Sequence, residues 1–409
     1  MFARRKRYGT EFAALILCAA ILSGCGVAGS AGTGAAENDV SETAGNDVSE
    51  TAENDVSETA NERVIMDSLG REVVIPTEVN NIIPTGQLAQ IVLLSLCPEK
   101  MVCIASKWDE KAEEYIPDEV RNLPRIGQVY GGKQDFSMES VLALNPDVII
   151  DIGDDKKGME EDLDRLQEQM GVPIVHLNGA LSNLPETYKA LGEITGKTDE
   201  AKMRGDYCER KNSELEEISA KLDSSQDNTA EIGSSQDNTA EISSSENNSA
   251  DSYKINALLV TGPEGLNVVA KGAYQAEAFD AFANNLAVID NPSGKGTGNE
   301  VSMEQIILWN PEYIIYLSEA TPAEVFEGDR WQSIDAVKKG QVYPAPFGPY
   351  NWLGFPSAIQ KYLGMMWMAD KFYPDETEFD LYTEVKEYYK LFYGYDLSEE
   401  KFARLVGNK

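Results

Sequence analysis

At 409 residues, 42% hydrophobic and 25% charged, the chain has enough apolar material for two ordinary domain cores. Lys and Arg number 35 against 69 Asp and Glu, a formal net charge of −34, and such a field repels a phosphate backbone, so nucleic acid is not an expected partner. Five scattered cysteines and one histidine form no metal-spaced cluster and leave little for a Ser/His or Cys/His nucleophile.

Arg4, Arg5, Lys6 and Arg7 precede an apolar run from Phe12 to Leu22 that is too short to span a bilayer, and the pair reads as an export signal over residues 1–24. The run closes on Leu22-Ser23-Gly24-Cys25, which resembles the lipobox of bacterial lipoproteins. That resemblance implies cleavage before Cys25, lipid attachment at its sulfur, and a stable hold on the membrane through two or three acyl chains. Residues 25–62 then carry three NDVSETA units starting at Asn38, Asn46 and Asn54. Acidic and almost free of large apolar side chains, this stretch cannot repay the entropy of folding and is expected to be an extended tether.

Residues 63–197 are expected to form a first lobe. Asp67-Ser-Leu-Gly-Arg71 followed by Val73 to Pro76 reads as a β-hairpin. Asn81 to Pro84 is a short strand, and Thr85-Gly86-Gln87 opens an apolar helix from Leu88 to Leu96. Backbone N–H groups at such a turn can hold an anionic group, and they can equally belong to a plain helix cap. Met101 to Ala105 is a third predicted strand, leading to Trp108, and a glycine-rich loop from Gly127 to Lys133 contains Tyr130. Aromatic and cationic residues at the ends of parallel strands are where open α/β sheets bind ligands, which makes Trp108, Tyr130 and Lys133 candidates; surface packing accounts for any one of them as well. His176 stands in an apolar strand, Val172 to Leu177, and is read as structural.

Residues 198–223 show the longest helical pattern. Ala201, Cys208, Leu215 and Leu222 recur every seven residues with Ile218 between them, one apolar face on a helix of ~40 Å. Residues 224–253 repeat a decapeptide (SSQDNTAEIG, SSQDNTAEIS, SSENNSADSY) and are predicted to be a disordered, deletable insert. In the second lobe, residues 254–409, Ile255 to Val260 and Gly265 to Ala270 pair as strands before Lys271 to Gln275, including Tyr274, turns into a helix. Asn291 to Gly298 is glycine-rich but lacks phosphate-loop spacing. Gln341 to Pro344 is a strand, and Tyr350 and Trp352 follow it as the aromatic candidates of this lobe.

The two lobes share a sentence. FSMESVLALNPDVIID from Phe136 and VSMEQIILWNPEYIIY from Val301 each read as a helix stopped at Asn-Pro and feeding a β-branched strand. Their methionines are 303 − 138 = 165 residues apart, a distance that fits duplicated α/β lobes and also two similar units of one large sheet.

Taken together, the lipobox, the acidic tether, Asp67-x-x-Gly-Arg71, the paired Glu-x-x-Leu/Ile-x-x-x-x-Pro-Asp/Glu units and the single long helix resemble the substrate-binding proteins of ABC importers for ferric siderophores, vitamin B12 and haem, a family with molybdate- and tungstate-binding members. The resemblance covers Val64 to Asn408 apart from the insert. It implies an α/β fold of two Rossmann-like lobes joined by one long rigid α-helix, the class III periplasmic-binding-protein fold, acting as a monomer with the ligand between the lobes and only modest closure. It further implies that Glu139 and Glu304 meet a permease dimer, itself coupled to an ATPase, and that the protein is no enzyme, needs no cofactor and sits lipid-anchored outside the cell membrane; Gly26 after the lipid cysteine and the long acidic tether fit a Gram-positive surface.

An iron chelate of siderophore type is the expected cargo by the weight of the family, with cobalamin, haem, or molybdate and tungstate as alternatives. Arg125 and Arg330 are the few arginines of the candidate cleft segments, which favours a neutral or weakly charged chelate, a corrinoid held by aromatic faces, or an oxyanion held by backbone N–H groups. A surface enzyme using paired carboxylates and a purely structural lipoprotein are the competing classes.

Overall fold

A computed structural model describes residues 61–131, 135–224, 253–293 and 297–407. Cys25, the NDVSETA units, Lys133 and the decapeptide insert lie outside the described residues.

The first lobe opens with the expected hairpin. β1 (Glu62–Met66) pairs antiparallel with β2 (Glu72–Pro76) around a turn in which Gly70 takes a left-handed φ of 80°. Arg71, only 6% exposed, divides its guanidinium among the Asp67 carboxylate, the Asp164 carboxylate and the Ile174 carbonyl. That fork ties the hairpin to the sheet beside it, a role a lysine could not fill.

The sheet itself is parallel, in the order β3 (Ile82–Pro84), β4 (Val148–Gly153), β5 (Ile174–Asn178). All six residues of β4 are buried, as a strand covered on both faces must be. Around it lie α1 (Gln87–Leu96), α2 (Asp118–Arg121), α3 (Met138–Leu142), α4 (Met159–Met170) and α5 (Leu184–Thr195). The strand expected at Met101 to Ala105 is reduced to two isolated parallel bridges, Met101 to Ile82 and Ile104 to Arg125. The physical reason is a side chain: Gln90 Oε1 accepts from the N–H groups of Ala105 and Ser106, taking donors that a ladder would need.

α6 (Thr198–Ser224) follows, with Ala201, Cys208, Leu215, Ile218 and Leu222 all buried, the face marked by the seven-residue spacing. It packs on α5 of the first lobe and touches two helices of the second. The second lobe builds a larger sheet in the order β11 (Val342–Pro344), β10 (Tyr313–Tyr316), β6 (Ile255–Thr261), β7 (Asn267–Val268), β9 (Asn299–Glu300), with β8 (Ala283–Asn285) also on β6. Its helices are α7 (Glu277–Phe282), α8 (Met303–Trp309), α9 (Asp335–Lys338), α10 (Lys361–Phe372), α11 (Leu381–Tyr393) and α12 (Glu399–Leu405).

The duplicated sentence is a duplicated structure. In both copies a serine hydroxyl caps the helix, Ser137 accepting from Ser140 N and Ser302 from Gln305 N. Val141 and Ile306 are fully buried at matching positions. Asn145, just past the end of α3, and Asn310, the C-cap of α8, take left-handed φ of 48° and 40°, which asparagine tolerates better than most side chains. β4 and β10 then enter the centre of their parallel triplets, β3-β4-β5 and β6-β10-β11.

The lobes are connected twice. Besides α6, the C-terminal α11 and the segment after it return to the first lobe: Phe392 lies 6.0 Å from Tyr188 between ring centroids, and Tyr115 meets Tyr389 at 5.4 Å and Tyr395 at 4.8 Å. Lys211 of α6, with no exposed side-chain surface, is paired at 2.6 Å with both Glu214 and Glu384, binding α6 to α11. The described residues of both lobes accordingly belong to one compact unit.

Candidate functional site

A cleft of about 480 Å³ lies between the lobes, beyond the C-terminal ends of β3 and β4 on one side and against Tyr274, Phe355 and Ser357 on the other. Parallel α/β sheets present ligands sites at that end because the strand-to-helix turns leave backbone groups free there.

The turn at Thr85 is held on both sides. Its N–H donates to Ile150 O at 2.9 Å, and its carbonyl accepts from Val129 N at 2.7 Å. Gly86 is extended, α1 has no side-chain cap, and no acid stands in its first turn. The first N–H groups of α1 are thus left to solvent or ligand, at the positive end of the helix.

Beneath this turn lies a carboxylate chain. Asp151, 6% exposed in the second half of β4, accepts a short hydrogen bond from the Thr85 hydroxyl and makes a second contact with His176 Nδ1 at 2.7 Å. His176 Nε2 reaches Asp155 at 3.0 Å, so both ring nitrogens face acids. Burial alone would lower the pKa of His176; the hydrogen bonds and charges of Asp151 and Asp155 outweigh it and raise the value above the ordinary 6.5. The structural reading of His176 thus gains a definite task, which is fixing the acid on the cleft floor. At the mouth, Lys156 stands 3.2 Å from Asp154.

Tyr274 forms the opposing wall. Its hydroxyl donates across the lobes to Gly179 O at 2.8 Å, and Lys361 Nζ lies 3.6 Å from its ring centroid. Lys361 is 2% exposed and paired with Glu277 at 2.6 Å, and Glu277 in turn accepts from Leu181 N of the first lobe. Burial lowers the Lys361 pKa while Glu277 opposes the shift. Burial likewise raises the phenols of Tyr274 and Tyr130, so both stay neutral hydrogen-bonding aromatics.

Of the candidates named from sequence, Thr85, Gly86, Gln87, Tyr130 and Tyr274 line the cleft. Trp108, Tyr350 and Trp352 do not. Trp352 has no exposed surface and donates its indole N–H to Gly348 O inside the core, while Trp108 and Tyr350 pack on each other with centroids 6.3 Å apart. The chain from Pro346 folds back on itself through the Phe347 to Asn351 bridge and turns the Tyr350 and Trp352 rings inward, where burying apolar area outweighs any placement at a strand end. Glu139 and Glu304 are exposed, one near the start of each duplicated helix; the Glu304 carboxyl is held below its usual range by hydrogen bonds from its own N–H and Ser302.

Sequence reasoning missed Asp151, Phe355 and Ser357 in the cleft wall. Asp151 carried a signal, an acid closing the apolar Val148 to Ile150 run, and Ser357 carried none. Among the described residues no His, Cys, Asp or Glu group is arranged to hold a metal ion, and no helix is long and apolar enough to cross a membrane. Cys97, Cys103 and Cys208 are free and buried, with thiols pushed up to about 12 by burial.

Comparison with known proteins agrees with this architecture. The chain is 23% identical over 352 residues to the molybdate-binding protein MolA of Haemophilus influenzae, covering 84% of this chain and 94% of that one. Among solved structures, an ABC transporter solute binding protein from Sulfurospirillum deleyianum superposes with a TM-score of 0.71 at 23% identity, over 84% of this chain and 99% of the other. A periplasmic solute binding protein from Veillonella parvula gives 0.64 at 22% identity, over 85% and 97%. At such identities these structures speak to the fold. The family model described as periplasmic binding protein matches residues 104–348, more than half of the chain, and the chain belongs to that family.

Proposed function

We propose that this is a lipid-anchored, extracytoplasmic substrate-binding protein that captures an iron chelate between its lobes and hands it to an ABC importer. The observation that carries the reading is the interlobe cleft. Its volume of about 480 Å³ falls in the range of pockets for drug-sized molecules, which a bare tetrahedral oxyanion would leave largely empty. Tyr130, Tyr274 and Phe355 supply apolar faces, and Thr85 to Leu88 supply donors. Membership of a family of periplasmic binding proteins supports a transport role over an enzymatic one. Cys25 is the proposed site of the lipid, and Glu139 and Glu304 the proposed contacts to a permease.

A second reading, an oxyanion of molybdate type, is favoured by one geometric feature: the uncapped N-terminus of α1 opens into the cleft. The molybdate-binding relative in Haemophilus influenzae supports it as well.

Uptake by cells that carry this chain with its own permease separates the readings. Import of labelled iron as a hydroxamate chelate, without import of labelled molybdate, is expected on the first; the reverse pattern selects the second. Glu139→Arg combined with Glu304→Arg is expected to abolish import of whichever cargo is taken while leaving its affinity for the isolated protein unchanged. Normal import by the double variant would remove the docking role from these residues.

A further inference from the structure

Ser357 lies one turn before α10 and forms part of the cleft wall. The residue is 1% exposed, and its hydroxyl oxygen has no hydrogen-bond partner among the described residues. Folded proteins rarely leave a buried hydroxyl unpaired, because its bonds to water are lost with nothing in return. Several buried polar side chains of this lobe are paired, Lys361 with Glu277, Asn285 with Asp280 and Asn351 with Glu319, while Trp331 and Tyr350 also carry unpaired buried atoms away from the cleft. Gln360 Oε1 is unpaired in the same turn but does not line the cleft, and of the unpaired buried polar groups among the described residues Ser357 is the one that does.

Its surroundings say what would complete it. Phe355, 41% exposed, and the ring of Tyr274 flank the same wall. Ser357 also stands just ahead of the N-terminus of α10, whose dipole favours negative charge there, with the ammonium of Lys361 one turn further on. Such a position favours an acceptor opposite the hydroxyl over a donor.

We propose that Ser357 is a ligand-contacting, specificity-determining residue whose O–H donates to an acceptor oxygen of the bound molecule. The ligand then presents acceptor oxygens to both lobes, one to the open N–H groups of α1 and one to Ser357. This rests on the cleft being the ligand site. An oxygen-rich chelate satisfies both ends, and a compact oxyanion does so if the lobes close around it.

The test is calorimetric titration of the protein and its Ser357→Ala variant with two probes, ferrichrome and sodium molybdate, together with thermal unfolding of both proteins without ligand. For the probe that binds, Ser357→Ala is expected to weaken affinity about tenfold, the loss of one hydrogen bond. The ligand-free midpoint is expected to stay level or rise, since the deleted hydroxyl had no partner. Equal affinity of the two proteins would overturn the proposal and leave the cleft reading intact. A lowered ligand-free midpoint would overturn it too, by showing a structural partner. Wild-type protein that binds neither probe would overturn the premise about acceptor oxygens itself.

Discussion

His176 has no exposed side-chain surface, and its ring bridges Asp151 and Asp155 at 2.7 and 3.0 Å. The other charged groups near its strand are Asp67, which accepts from His176 N, and Arg71, which is already paired with Asp67 and Asp164. Because its pKa is raised in the folded state, the stabilisation from its charge is fully present below the ordinary value of 6.5 and is lost as pH rises through the raised value. The expected result is that His176→Gln lowers the unfolding midpoint most near pH ~5, and that the gap to wild type narrows toward pH ~8. A gap that does not vary with pH would contradict the charged bridge. At this scale the sequence was legible only in part. Thr85 and Tyr274 could be named because turns and aromatics at strand ends are where such sheets bind, but the same logic named Trp352, which lies in the core. Residue type cannot say which way a ring turns; the fold-back after Pro346 decides it.

α6 and the helix-strand repeats were the most readable elements, because each is fixed by local signals. A seven-residue apolar spacing forces Cys208 and Leu215 onto one face, and Ser before Met-Glu supplies a cap in both copies. The lost strand at Met101 was not readable, since a distant glutamine side chain takes its donors. The described residues on either side of the decapeptide repeats are neighbours: Tyr253 N donates to Leu222 O at 3.2 Å, and Lys254 pairs with Asp223 at 2.7 Å. A chain that leaves and returns at one place can be shortened at little cost. Replacing residues 225–252 by a few glycines and serines is expected to change stability by no more than about 0.5 kcal/mol in denaturant unfolding. A loss of several kcal/mol would assign the insert a part in the fold.

At the scale of the whole molecule, two lobes of duplicated design are joined by α6 and by the returning α11, with Tyr274 to Gly179 and Glu277 to Leu181 as further links across the cleft. Four such connections restrain the lobes, so binding is expected to need little closure. The return of α11 to the first lobe was invisible in the sequence, because the Tyr115 to Tyr389 contact joins residues with nothing local in common. The central claim is that one small molecule binds in the interlobe cleft, and Gly86 offers the most direct test. Its backbone is extended, so any residue fits, and a Cβ there meets nothing nearer than Tyr130 O at 3.9 Å. Gly86→Trp therefore fills the cleft without straining the chain. Calorimetric titration of wild type and this variant with ferrichrome and with molybdate is expected to give one site per wild-type molecule for one of the probes and no heat for the variant, with both proteins unfolding at the same temperature. Equal binding by the variant, or no binding of either probe by wild type, would contradict the account.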